Sequence, residues 1–275
     1  MRFLAFLLAI FCVSPSWAAH AYAQFGDIKY PPQFKNFDYV NPLAAKGGEL
    51  VLVPPSRLSS FDKYNPFTLK GNAAPGLGSL LLESLLTGTM DEPATAYGLL
   101  AEDVSVAADR RSVQFRLRSQ ARFSNGDVVM ADDVKHSFET LTSKQAAPQF
   151  RTLYAEVTGV VVVNARTVRF DFKSANPELP LIVGGMPVFS RAWGVKDGVR
   201  QPFDQIVTEA PIGSGPYKIG HVAFGRDISY ERDPNYWAKD LNVRRGMFNF
   251  DRITYRLYKD NTAQLEGFKA DRKST

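Results

Sequence analysis

VQFRLRSQARFSNGDVVMADDVKHSFETL, residues 113–141, runs through strand, turn and helix in one short stretch. Val113, Phe115 and Leu117 alternate with Gln114, Arg116 and Arg118, the pattern of a strand with one apolar and one wet face. Asn125-Gly126 signals a tight turn, and a helix is expected from Ala131. The stretch also raises a question of chemistry. Asp132, Asp133 and His136 are three and four residues apart, so a helix would set all three on one face. If Met130 takes the cap position, Asp132 and Asp133 fill the first turn, where each carboxylate is worth about 0.3–1 kcal/mol against the helix dipole. Met130 cannot accept from the free amides, so Asp133 reaching back is the expected substitute, with His136 an ordinary polar neighbour on the next turn. Capping accounts for the cluster; catalysis or metal binding is the alternative.

The same alternation of elements extends in both directions, without internal repeats or low-complexity segments. Leu50 to Val53 is a strand closed by Pro54-Pro55. Leu77, Leu80, Leu81 and Leu85 recur at helical spacing, which predicts a helix over 77–86 stopped by Thr87-Gly88. Val157 to Val163, a turn at Asn164, and Val168 to Phe172 form the clearest hairpin. Asn176-Pro177 is expected to open a short helix with proline first, followed by a buried extended Pro187-Val188-Phe189. Tyr217 to His221 and Asp227 to Arg232 read as a strand pair, and Asp251 to Tyr258 as a strand with Ile253, Tyr255 and Leu257 inward. Asp260-Asn261-Thr262 has the chemistry of a helix cap, yet few residues follow before Asp271-Arg272-Lys273-Ser274-Thr275. That ending predicts a truncated or frameshifted chain, with a frayed final helix as the alternative.

The first residues point to export. Arg2 is followed by an unbroken apolar run from Phe3 to Val13 and then by small residues, the pattern of a secretory signal. The run is too short to anchor the chain across a bilayer. Ala19-His20-Ala21 or Ala21-Tyr22-Ala23 suits a signal peptidase, and the mature start is expected near Gln24. Cys12, the single cysteine, lacks the small residues that lipid attachment needs before it, because Ala9-Ile10-Phe11 stand there. The mature chain then carries no thiol, so its stability rests on an ordinary core, which 45% hydrophobic residues can supply. The net charge of +5 falls to +4 with Arg2 removed and is spread without a long basic run, which argues against nucleic acid as a partner.

Enzyme constellations are sparse. With His20 at the cleavage region, His136 and His221 remain, and no His-x-x-x-His pair or second cysteine offers a zinc site. Gly213-Ser214-Gly215 resembles part of a nucleophile elbow, but Ile212 stands where the elbow spacing needs glycine. No phosphate-cradling or dinucleotide fingerprint is present. Any two of the 28 acidic residues could meet as a glycosidase pair, and nothing singles out such a pair.

Several stretches resemble the solute-binding proteins of peptide-type ABC importers, solute-binding family 5. They are Gly98-Leu99-Leu100-Ala101-Glu102, Phe115-Arg116-Leu117-Arg118, Arg122-Phe123-Ser124-Asn125-Gly126 with Ala131-Asp132-Asp133-Val134, Gly213-Ser214-Gly215-Pro216-Tyr217, and Glu231-Arg232 with Tyr236-Trp237. Tyr39-Val40-Asn41-Pro42, Ala45-Lys46-Gly47-Gly48, Ser60-Phe61-Asp62 and Asn65-Pro66-Phe67 look like the branch associated with peptide and microcin C uptake. Met130 departs from a common threonine cap, and Ala270-Asp271 from the usual Gly-Glu.

The resemblance implies an α/β fold of the periplasmic-binding-protein type II kind, cluster C. Residues 1–23 would be the signal peptide, 24–76 and 176–258 the mixed-sheet lobe I, and 77–175 an inserted α+β subdomain. Residues 259–275 would be the truncated start of a second lobe that is otherwise missing. It further implies a monomeric periplasmic receptor without cofactor or catalysis, handing peptides or peptide-like compounds to an inner-membrane ABC permease. Peptide would be held by its main chain between lobes that close on a hinge. A chain carrying one lobe is then expected to grip peptide weakly. An exported hydrolase acting on peptides or glycans, or a nickel or sugar receptor of the same family, is the alternative. Carried over residue by residue, Lys70, Gly71, Asn72 and Ala73 line the cleft, with an ordinary surface turn as the other reading. Tyr154 is a second ligand candidate or else a core tyrosine, and Phe61 and Asp62 border the cleft. Pro211 to Tyr217 is expected to be a packed crossover and Trp237 a core residue.

Overall fold

The computed structural model describes residues 19–54 and 58–272. Its elements begin with β1 (Ala21–Ala23), β2 (Glu49–Leu52), α1 (Leu77–Leu81), β3 (Glu83–Ser84), β4 (Leu86–Gly88) and β5 (Thr95–Gly98). Then come β6 (Ala101–Val106), β7 (Ser112–Leu117), α2 (Ala131–Thr142), α3 (Pro148–Leu153), β8 (Val157–Asn164) and β9 (Thr167–Phe172). The chain continues with α4 (Leu179–Gly184), β10 (Pro187–Val188), β11 (Val195–Lys196), β12 (Val199–Arg200), β13 (Tyr217–Ala223), β14 (Asp227–Arg232), β15 (Arg252–Arg256) and α5 (Asn261–Arg272).

The strand read from residues 113–117 is β7, the second strand of an antiparallel sheet ordered β6-β7-β9-β8. Val113, Phe115 and Leu117 are each fully buried, which stabilises the sheet by about 1.5–3 kcal/mol per side chain. β8 and β9 form the expected hairpin, and the Asn164 side-chain oxygen accepts the Arg166 N–H at 3.0 Å to hold its turn. α2 packs against this hairpin, with Phe138 edge-on to Phe170 at 5.8 Å. The second four-stranded sheet is ordered β13-β14-β15-β2. Its β15–β2 pairing is parallel, Arg252 opposite Glu49, and joins segments far apart in the chain. One apolar cluster runs between the sheets, and a smaller one gathers Tyr30, Phe37, Tyr97, Leu99, Tyr236 and Val243.

Two expectations need correction. The helix expected over 77–86 ends at Leu81, and Glu83–Ser84 and Leu86–Gly88 are strands. Leu80, Leu81, Leu82, Leu85 and Leu86 are all buried, so apolar residues surround the segment rather than striping it, and pairing with β10 and β5 decides its shape. α4 starts at Leu179, after a turn in which the Asn176 side chain accepts the Glu178 N–H at 2.9 Å; Pro180 rather than Pro177 lies in its first turn. The helix cap read at Asp260-Asn261-Thr262 is present: the Asp260 carboxylate accepts the Ala263 N–H at 2.8 Å at the start of α5. Residues 21–23, the last three of the expected signal, form β1, which pairs with β5, and Ala21 is buried. Of the expected signal over residues 1–23, residues 1–18, with Cys12, lie outside the described residues. No helix of the described residues is long and apolar enough to cross a membrane.

The Gly213-Ser214-Gly215 stretch is the packed crossover anticipated from the sequence. Gly215 donates its N–H to the Leu81 carbonyl at 2.9 Å, and Gly213 accepts from the Ser124 N–H at 2.7 Å. A Cβ on Gly213 would stand 1.9 Å from the Leu81 carbonyl oxygen, and one on Gly215 2.4 Å from that of Leu80. Glycine is needed here for close approach of two backbones, which leaves the serine without an exposed nucleophilic role. Trp237 packs against both apolar clusters and donates its indole N–H to the Ser214 carbonyl at 2.9 Å.

Candidate functional site

The acidic pair that opens α2 acts as a bracket. Asp133, almost fully buried, accepts from the Met130 N–H at 2.9 Å and from the Arg191 N–H and Nε at 3.1 and 3.2 Å. One carboxylate thus closes the helix start and ties it to the segment after β10. Ser137, one turn on, donates to the Phe189 carbonyl at 3.2 Å and accepts the Phe189 N–H at 3.0 Å. Asp132 is half exposed, 3.9 Å from an Arg191 guanidinium nitrogen.

His136 turns away from both carboxylates and is more than a polar neighbour. It lines a pocket of about 200 Å³ with Glu139, Phe189, Trp193, Arg200 and Phe203, edge-on to Phe189 at 5.9 Å. Its Nε2 lies 3.4 Å from the Arg200 guanidinium. Burial first, then Arg200 and Arg191, lower its pKa from 6.5 to about 4. The unfolded chain takes up a proton near 6.5 and the folded chain near 4, so between those values acid favours unfolding. Above pH 6.5 this histidine contributes no pH dependence. The melting temperature is therefore expected to fall as pH drops from about 6.5 to 4, and to fall less in His136→Gln; equal acid slopes in thermal melts would refute it.

The second candidate region is the loop from Phe61 to Ala74. Asp62 and Lys63 both donate their backbone N–H to the Asn72 carbonyl, at 3.0 and 3.3 Å, and the Ala74 N–H returns to the Lys63 carbonyl at 2.9 Å. The Asp62 carboxylate accepts the Asn72 N–H at 2.7 Å. Gly71 crosses the turn at φ +76°, where a Cβ would lie 2.7 Å from Asp62 Oδ1. Positive φ and the carboxylate beneath it together require glycine. Phe61 anchors the loop in the core, its ring 5.4 Å from that of Phe224.

Lys63 holds the inside of this loop and was not legible in the sequence. Its ammonium donates to Thr68 O at 2.7 Å, to Thr68 Oγ1 at 3.0 Å and to the Lys70 carbonyl. Burial lowers its pKa, with Asp62 opposing. Because a lysine between Phe61 and Asn65 reads as a solvated side chain, pattern alone could not have found it.

The structure therefore brings together Phe61, Asp62, Lys70, Gly71, Asn72 and Ala73. Asp62 and residues 70–72 are exposed, Ala73 is half-buried and Phe61 is buried. Asn72 has spent both backbone groups on Asp62 and Lys63, so ligand pairing through Asn72 main chain would have to displace them. Tyr154 does not join this group. It is buried in the core against Phe138, ring centroids 5.7 Å apart, and burial pushes its hydroxyl up to about 12.

Comparison with known proteins follows the same line. Residues 95–272 match the family described as bacterial extracellular solute-binding proteins, family 5 Middle. The chain is 41% identical over 248 residues to the uncharacterized protein y4wM of Sinorhizobium fredii, covering 89% of this chain and 36% of that one. It is 40% identical over 249 residues to the probable peptide-binding protein YejA of Agrobacterium fabrum, covering 89% and 40%. The chain thus spans less than half the length of these relatives. Among solved structures, the oligopeptide-binding protein AppA of Bacillus subtilis, in complex with a nonapeptide, superposes with a TM-score of 0.64 at 20% identity, covering 83% of this chain and 43% of that one. By sequence family and by fold, this chain belongs to the extracellular solute-binding proteins of family 5.

Proposed function

We propose that the protein is the periplasmic receptor of an ABC importer, taking up peptides or peptide-like compounds and passing them unaltered to a permease in the inner membrane. The observation that carries this reading is the identity of 40% with a probable peptide-binding protein across 89% of the chain. Support comes from the exposed turn at Lys70-Gly71-Asn72, held from beneath by Asp62 and Lys63. Residues 24–76 and 176–258 would form the lobe that carries this turn, around the β13-β14-β15-β2 sheet, and 77–175 the inserted subdomain around β6-β7-β9-β8. The protein would act as a monomer and perform no chemistry on its ligand.

The test replaces the aligned stretch of the A. fabrum relative by this chain, so that the whole length is present. The purified chimaera is expected to retain peptides, recovered at unchanged mass after denaturation. Gly71→Val is expected to weaken their binding by about tenfold, ~1.4 kcal/mol, because it strains the turn and strikes Asp62. Cleavage products, or a cooperatively folded chimaera that retains no peptide, would overturn the reading.

A further inference from the structure

The pocket beside His136 has walls that are fixed in place and a charge that is left over. Its walls are aromatic: Phe189, Trp193 and Phe203 are buried, with Trp193 edge-on to Phe203 at 5.4 Å and Phe189 stacked on Phe203 at 5.9 Å. Polar contacts hold each of them. Ser137 accepts the Phe189 N–H at 3.0 Å, and the Trp193 indole N–H donates to the Glu209 carbonyl at 3.2 Å. Phe203 is held on both sides: its N–H donates to the Gln145 side chain at 2.7 Å, and its carbonyl accepts from the buried Asn65 amide at 3.0 Å. Gly194 lets the corner after Trp193 close, since at φ +76° an added Cβ would stand 2.1 Å from Ile206 Cδ1. Walls braced in this way keep a cavity open rather than letting it collapse.

Charge accounting at the rim leaves one cation. Glu139 lies 3.8 Å from Lys135, and Arg191 lies 3.2 Å from Asp133 and 3.9 Å from Asp132. His136 stays neutral at pH 7. Arg200 has no carboxylate within 4.0 Å among the described residues; its guanidinium donates to the Arg191 carbonyl at 2.6 Å and, more weakly, to the Trp193 carbonyl and His136 Nε2, both at 3.4 Å. A guanidinium carries five N–H donors, so Nε–H and one hydrogen of Nη2 are left without a protein partner among the described residues. Donors on two nitrogens of one guanidinium suit a carboxylate. Size sets the rest. A cavity of about 150 Å³ accepts benzene, so the volume here, about 200 Å³, holds a single ring or a branched aliphatic body.

We propose that this pocket binds a small organic acid with one ring or one branched apolar body, seated between Phe189, Trp193 and Phe203 with its carboxylate on Arg200. Apolar walls and cation act together, so a neutral ring or a short acid meets only half of the site. None of the lining residues belongs to the loop from Phe61 to Ala74. The site therefore goes beyond the receptor reading and stands or falls apart from it.

The purified 275-residue chain is to be titrated at pH 7 with benzoate, benzamide and acetate, followed by calorimetry and saturation-transfer NMR. Benzoate is expected to bind, and benzamide and acetate at least tenfold more weakly. Arg200→Gln is expected to weaken benzoate binding tenfold or more and to leave benzamide unchanged. Arg200→Lys, which keeps the charge but not the paired donors, should fall between. Because Arg200 is exposed, both variants are expected to melt close to the parent temperature. No binding of benzoate, equal affinity for benzoate and benzamide, or an Arg200→Gln variant that binds benzoate as the parent does would overturn the proposal. The ratio of benzoate to benzamide affinity in the parent chain decides the matter even if a variant fails to fold.

Discussion

Glu83→Ala is expected to destabilise the protein by about 3–5 kcal/mol, because it leaves a buried guanidinium without its counter-charge. Arg244 is nearly enclosed, with its side chain 14% exposed and that of Glu83 2%. The pair is bidentate, Nη2 to Oε2 at 2.8 Å and Nε to Oε1 at 3.3 Å, and Arg244 also donates to Thr87 Oγ1 at 3.1 Å. The Tyr236 hydroxyl donates to the same carboxylate. Burial and the Glu83 charge both raise the Tyr236 pKa, while Glu83 keeps Arg244 protonated in spite of its burial. Removing the carboxylate therefore strands two donors as well as a charge. The pair crosses from β3 to the segment after Tyr236, so its loss should loosen the contact of that segment with β3. Chemical denaturation of Glu83→Ala, Arg244→Met and the double variant checks this. The double variant should lose less than the sum of the singles, since no unpaired charge then remains. Strict additivity would refute the coupling.

Gly213→Ala is expected to be at least as damaging, about 4 kcal/mol or more, and to reduce the yield of folded protein. Its methyl would stand 1.9 Å from the Leu81 carbonyl oxygen, deep inside contact distance, and neither backbone can yield without breaking a hydrogen bond. The Leu81 carbonyl accepts from Gly215, and Gly213 accepts from Ser124, so a shift of α1 breaks its bond to the crossover and a shift of the crossover breaks its bond to the Ser124 turn. Gly78→Ala is the control. It sits in α1 with nothing within 4 Å of an added Cβ, and should be neutral or slightly stabilising. Comparable losses in the two variants would show that the close approach is not what makes Gly213 necessary.

How much of this was readable in the sequence depended on whether a segment's partner was near in the chain. The β8–β9 hairpin carries its partner with it, and β7 shows its one buried face, so local alternation sufficed. The segment 82–88 pairs with strands that lie before Leu99 and after Met186, and its run of leucines mimics a helix because nothing local contradicts it. β1 was not visible for a different reason: Ala19-His20-Ala21-Tyr22-Ala23 reads locally as a peptidase frame, and its partners Tyr97 and Val104 lie far along the chain. At the candidate site, Gly71 and Asp62 were named through the family resemblance, and the close approach of the Asp62 carboxylate shows why the turn takes a glycine. Lys63 was not, because the carbonyls that make burial tolerable for its charge come together only when the loop closes.

The parallel pairing of β2 with β15 sets an order of events in time. Glu49 meets Arg252 only after roughly two hundred intervening residues have been delivered, so the sheet they share has high contact order and is completed late. The β6-β7-β9-β8 sheet draws on residues 101–172 alone and can form while the rest is still emerging. On a chain that emerges N-terminus first, Glu49 to Leu52 must wait as an unpaired apolar edge, open to chaperone capture or to self-association, until the final strand arrives.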